Sequence, residues 1–142
     1  MIESVVENRE LKQQILTQLA GKLGSHAMLA TNTSTIPVSA LADALPDPSR
    51  FCGLHFCNPV RQRQLVEIVI GPSTSSQTVA TAVTYVAQIG KLPIVVQDSP
   101  GFLVNRLLLP YLNESLELIC QGADLRQIDE AARAFGMALG PI

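Results

Sequence analysis

Gly53-Leu54-His55-Phe56-Cys57-Asn58-Pro59-Val60, continued across the polar link Arg61-Gln62-Arg63-Gln64 by Leu65-Val66-Glu67-Ile68-Val69-Ile70, is the stretch on which the reading of this chain turns. Each half has the β-branched, aromatic and apolar texture of a buried strand, and each carries one ionisable group among apolar neighbours. A buried imidazole and a buried carboxylate are each costly alone. Side by side, the carboxylate holds the ring and stabilises its cation. His55 and Glu67 are therefore candidates for an acid/base dyad.

Working outward, strands and helices alternate. Met1 to Val6 reads as a strand, and Asn8 can cap a following helix whose apolar stripe is Leu11, Ile15, Leu19 and Leu23, stopped by Gly24. Ala27 to Thr31 is a second strand, followed by the polar turn Asn32-Thr33-Ser34-Thr35 and a short helix over Val38 to Leu45. After the two strands of the opening stretch, Ser73 to Ser76 can cap a helix with Val79, Val83 and Val86 on one face, and Leu92 to Gln97 is a further strand. This rhythm predicts βαβ units and a largely parallel α/β sheet. The texture changes at Asp98. Beyond Ser99-Pro100-Gly101 the pattern is helical, over Phe102 to Gln121 and Leu125 to Phe135, so a domain boundary is placed between residues 98 and 99. Pro110, inside the first of these helices, predicts a kink or a bend.

Composition excludes several classes of function. At 142 residues the chain suits one core, and no apolar run approaches the ~20 residues that cross a bilayer, despite 47% hydrophobic residues. A net charge of −2 without any basic stripe argues against nucleic acid and for a small-molecule substrate. Cys52, Cys57 and Cys120 form no CxxC pair, which predicts reduced thiols, a cytoplasmic setting and no metal site. The acidic start, Met1-Ile2-Glu3-Ser4-Val5-Val6-Glu7, lacks the basic residues of a targeting segment.

Polar islands end the apolar segments: Asn32-Thr33-Ser34, His55 with Asn58, Glu67, and Asn105 at the start of the long helix. Singly, the serine and the asparagines read as turn formers or caps and the histidine as a core residue. In an open α/β sheet, however, ligands collect at the carboxyl ends of strands, where these islands could share one cleft.

On these motifs, together with Val5-Val6-Glu7-Asn8, Thr35-Ile36-Pro37 and Pro100-Gly101-Phe102-Leu103-Val104-Asn105-Arg106, the chain closely resembles the L-3-hydroxyacyl-CoA dehydrogenases of fatty-acid β-oxidation. The Ile36-Pro37 variant and Gly122-Ala123-Asp124 look most like the dehydrogenase part of bacterial multifunctional subunits. The resemblance implies the second half of a Rossmann-like domain over residues 1–98 and the first helices of an all-α C-terminal domain over residues 99–142. It implies NAD as cofactor, an acyl-CoA as substrate, and a homo-oligomer or a multifunctional complex as the working assembly.

Residue by residue, His55 matches the family's catalytic base and Glu67 the carboxylate that orients it. Ser34 and Asn105 match residues that hydrogen-bond the reacting substrate oxygen. Glu7, Lys12 and Asn32 match positions near the nicotinamide and its ribose, and Asn58 supports the loop around the histidine. Cys57 departs from the family, which usually has a second aromatic there, and Arg61-Gln62-Arg63-Gln64 replaces a less charged link. No G-x-G-x-x-G occurs in the chain, so the reading is of an internal fragment whose nucleotide loop lies upstream, inactive alone. Two rivals remain: a same-fold dehydrogenase of a non-CoA hydroxy acid, and a non-catalytic remnant that folds or pairs with other subunits.

Overall fold

A computed structural model describes residues 1–137 and 139–142. Five strands lie side by side in chain order: β1 (Ile2–Glu3), β2 (Leu29–Thr31), β3 (Phe51–Phe56), β4 (Leu65–Ile70) and β5 (Leu92–Gln97). The pairings β1–β2, β2–β3 and β4–β5 are parallel, while β3–β4 is antiparallel. Chain length decides which is which. Residues 57–64, the link between β3 and β4, are too few for the crossover of a dozen or so residues that parallel neighbours need. The parallel pairs are instead bridged by α1 (Arg9–Lys22), α2 (Val38–Ala42) and α3 (Ser76–Gln88). The result is the mostly parallel α/β sheet that the alternation of elements predicts, Rossmann-like as the family resemblance implies.

Alternation along the strands sends side chains to two cores. On one face Leu29, Phe51 and Val69 pack with Leu16 of α1, Val38 and Leu41 of α2, and Phe102. On the other, Ala30, Cys52, Leu54, Val66 and Ile68 pack with Ala82 and Val86 of α3. Each fully buried aliphatic or aromatic side chain contributes about 1.5–3 kcal/mol. Gly53 is the point of closest approach: a Cβ there would lie 2.9 Å from both Val38 Cγ2 and Val69 Cβ. His55 follows Phe51 and Gly53 at the strand period of two, so it shares the face that carries α1 and α2.

Three local readings are corrected. The first strand is only Ile2–Glu3, because beyond it the backbone of Val5 is engaged by side chains: its N–H donates to Glu3 Oε1 at 2.8 Å and its carbonyl accepts from Lys12 Nζ at 3.1 Å. In α1, capped by Asn8 Oδ1 on the Leu11 N–H, the buried positions are Lys12 and Leu16, and Leu11 is exposed. The apolar stripe is displaced because Lys12 finds an anion inside. In α3 the buried row is Thr78, Ala82 and Val86; the Thr78 hydroxyl donates to the Ser49 carbonyl at 2.8 Å, which lets a polar residue occupy the inner face.

The chain divides into two compact units, Met1–Phe102 and Leu103–Ile142. The second consists of α4 (Val104–Cys120), which continues through Pro110, and α5 (Leu125–Phe135). Asp124 caps α5 by accepting the N–H groups of Arg126 and Gln127, and Gly136, at φ 111°, ends it in the left-handed region. Among the described residues, no helix is long and apolar enough to cross a membrane.

Candidate active site

The antiparallel register of β3 and β4 places His55 directly opposite Glu67. Their side chains meet on the α1/α2 face, His55 Nδ1 lying 2.6 Å from Glu67 Oε2, with both residues buried. An ionised carboxylate only accepts, so the hydrogen between them sits on Nδ1, and in the neutral ring Nε2 then holds the lone pair. Nε2 has no hydrogen-bond partner among the described residues. The ring is braced from the side by Phe102, centroid to centroid 5.6 Å at 59°. Phe102 reaches that position from a left-handed backbone, φ 49°, directly after Gly101 at φ 75°. A non-glycine residue held there costs of order 1–3 kcal/mol, offset by burial of its ring in the core.

A second polar cluster lies at the carboxyl ends of β1 and β2. Glu3 Oε1 accepts from Lys12 Nζ at 2.7 Å, and Glu3 Oε2 accepts from the Thr31 hydroxyl at 2.7 Å. Lys12 Nζ also lies 3.7 Å from Glu7 Oε2. Glu7 is partly exposed and gathers the Thr33 and Thr35 hydroxyls and the backbone N–H groups of Ser34 and Thr35. Burial alone would push its carboxyl up, but these hydrogen bonds outweigh it and hold Glu7 below the usual carboxylate range.

Asn32 connects the two clusters. Its Oδ1 accepts the N–H of Phe56, next to the histidine, at 3.2 Å, while its Nδ2 donates to Ser4 Oγ at 3.0 Å. The first unit thus brings together His55 with Glu67, and Glu7 with Lys12 and Ser34. Asn58, exposed, follows Cys57 at a cis bond to Pro59. Asn105 is the second residue of α4, in the other unit.

Several residues at the site carry no local sequence signal. Asp98 accepts the N–H groups of Val38 and Ser39 at 2.9 and 2.7 Å, holding the start of α2 from 60 residues away. Lys91 donates to the Arg63 carbonyl at 2.8 Å and ties down the β3–β4 link. Cys57 lies near the dyad: burial, then the neighbouring Glu67 carboxylate, push its thiol up. Burial drives the Cys52 thiol further, to about 12. Neither is a ready nucleophile.

Residues 1–99 match the family model for the 3-hydroxyacyl-CoA dehydrogenase NAD binding domain, and residues 101–142 match the C-terminal domain of the same enzymes. The chain belongs to the 3-hydroxyacyl-CoA dehydrogenase family. Among family members, the fatty acid oxidation complex subunit alpha of Pseudomonas savastanoi pv. phaseolicola is 47% identical over 141 residues, which are 99% of this chain and 20% of that protein. The crystal structure of the (S)-3-hydroxybutyryl-CoA dehydrogenase PaaH1 from Ralstonia eutropha superposes with a TM-score of 0.93 at 41% identity, covering 99% of this chain and 50% of that one. A 5-formyl-3-hydroxy-2-methylpyridine 4-carboxylic acid 5-dehydrogenase, an NAD+-dependent dismutase, superposes with a TM-score of 0.88 at 34% identity, over 96% and 44% of the two chains. The chain therefore spans about a fifth of the length of the curated relatives it matches.

Proposed function

We propose that this chain carries the acid/base centre of an NAD-dependent dehydrogenase that oxidises an L-3-hydroxyacyl-CoA to the 3-ketoacyl-CoA in bacterial fatty-acid β-oxidation. The observation that carries the proposal is the 2.6 Å contact between His55 Nδ1 and Glu67 Oε2, buried on adjacent strands of a family member. It favours the tautomer a base requires. His55 Nε2 takes the proton from the substrate 3-hydroxyl, and Glu67 stabilises the resulting imidazolium while preventing the ring from turning. Ser34 and Asn105 hold the reacting oxygen, as the family resemblance suggests.

The residues present fit the nicotinamide end of NAD. Glu7 is an ionised, partly exposed acceptor at the carboxyl ends of parallel strands, suited to ribose hydroxyl or carboxamide N–H donors. Asn32 stands between Glu7's end of the sheet and the histidine. Lys12, wholly buried, contributes from beneath by holding Glu3 and Glu7, and Asn58 shapes the loop after the histidine. NAD bound there would supply the hydride acceptor for C3, while the chain's own part is to take the hydroxyl proton at His55 Nε2. Free, unpaired cysteines suit a cytoplasmic setting, and relatives that are complex subunits suggest an oligomeric or multifunctional assembly.

The test is NADH formation by the full-length protein with L- and D-3-hydroxyacyl-CoA thioesters of graded length. Stereospecific turnover of the L series is expected. A non-CoA hydroxy acid is the second reading, favoured by the likeness to the pyridine carboxylic acid dehydrogenase. Turnover of free hydroxy acids with none of the thioesters would replace the first reading by the second.

A further inference from the structure

Cys57 has no part in hydride or proton transfer, yet it stands beside the two residues that do. It is the first residue after β3, two positions beyond His55, whose partner across the sheet is Glu67. A ring nitrogen of His55, Sγ of Cys57 and a carboxylate oxygen of Glu67 all lie within 4.8 Å of one another, and two of the three residues are buried.

We propose that His55, Cys57 and Glu67 form an inhibitory site for Zn2+, in which the ion replaces the hydrogen shared by the ring and the carboxylate. An imidazole, a thiolate and a carboxylate are the donor types zinc prefers, and three protein ligands leave a fourth position for water. Zinc at its usual bond lengths spaces neighbouring ligand atoms by about 3.3–3.8 Å. His55 and Glu67, 2.6 Å apart, would open by roughly 1 Å, and Cys57 would close by a similar amount through side-chain rotation.

Charge also favours the ion. Before binding the cluster carries one negative charge, on Glu67. After binding, the thiolate and carboxylate neutralise Zn2+, so a buried site gains no net charge. The proton balance is equally definite. The Cys57 proton leaves to solvent as the S–Zn bond forms, while the ring hydrogen moves from Nδ1 to Nε2 as Nδ1 takes the metal. A ring carrying hydrogen on Nε2 cannot accept the substrate proton, so the bound ion stops oxidation without occupying the substrate pocket.

The inhibitory consequence rests on the base role proposed for His55, whereas the coordination does not, and the experiment separates them. The full-length protein would be titrated with Zn2+ alone during turnover, and with Co2+ alone while thiolate-to-metal charge transfer is followed in the near ultraviolet. Zinc should inhibit, and Cys57→Ala should keep basal turnover while losing at least about tenfold in zinc sensitivity, the scale of a disturbed metal site. The cobalt band should disappear in Cys57→Ala and weaken in Glu67→Gln. Equal zinc sensitivity in Cys57→Ala, or no charge-transfer band in the unsubstituted protein, would overturn the site. A band that vanishes in Cys57→Ala while Zn2+ leaves turnover untouched would keep the coordination and overturn the base role.

Discussion

Two buried polar pairs, Glu3 with Lys12 between β1 and α1 and His55 with Glu67 between β3 and β4, differ in what they leave over. Between Glu3 and Lys12 almost nothing is left: the carboxylate accepts from Lys12, Val5 N–H and the Thr31 hydroxyl, while the ammonium faces Glu3, the Val5 carbonyl and Glu7. Such a pair is locked, since every donor and acceptor already has a partner. Between Glu67 and His55 one contact fixes the ring and the second ring nitrogen keeps its lone pair. Full satisfaction makes a strut, and a deliberate vacancy makes a base.

The comparison is broken most severely at the histidine. His55→Gln in the full-length protein should keep the fold and cut turnover by about 10²–10⁴-fold, the usual scale for losing a positioned base. A steady-state assay beside a melting curve checks both halves. Lys12→Met should do the opposite, lowering unfolding free energy by about 3–5 kcal/mol because Glu3 is left charged and buried without its cation. Turnover per folded molecule should fall far less than in His55→Gln. Equal losses of turnover in the two variants would erase the distinction between strut and base.

Gly53→Ala should cost about 1–3 kcal/mol, since its Cβ would collide with Val38 and Val69 and push α2 from the strand that carries the histidine. Denaturant unfolding of the purified protein measures it. The smallest effect belongs to Glu7. Its carboxyl is lower in the folded than in the unfolded state, so it contributes stability above the unfolded value, near 4.5, and loses it as pH falls through the folded value. The stability gap between the parent and Glu7→Gln should therefore close as the solution is acidified below about pH 4.5; a gap that widens on acidification would contradict the hydrogen-bond account.

Much of this was legible in the residues themselves. The apolar runs of β4 and β5 and the periodicity of α5 carry their own boundaries, and two ionisable groups in such runs announce that they need partners. What stayed hidden depends on residues distant in sequence. Lys12 looks like a solvent-facing residue until Glu3 is folded against it, so periodicity alone points the wrong face of α1 inward. Asp98 reads as the end of a strand, and nothing near it reveals that it holds α2. Cys57 passes for an ordinary thiol until the fold brings its Sγ within 4.8 Å of the His55 ring and the Glu67 carboxylate.

The central claim, that His55 and Glu67 act as one unit, is tested most directly by a double-mutant cycle on turnover of the full-length protein. His55→Gln and Glu67→Gln should each slow the reaction, since an amide can still orient the ring but cannot stabilise its charge. The double substitution should be little worse than His55→Gln alone, because groups acting together are strongly non-additive. Two losses that multiply in the double variant would mean that the residues act separately, and would contradict the dyad.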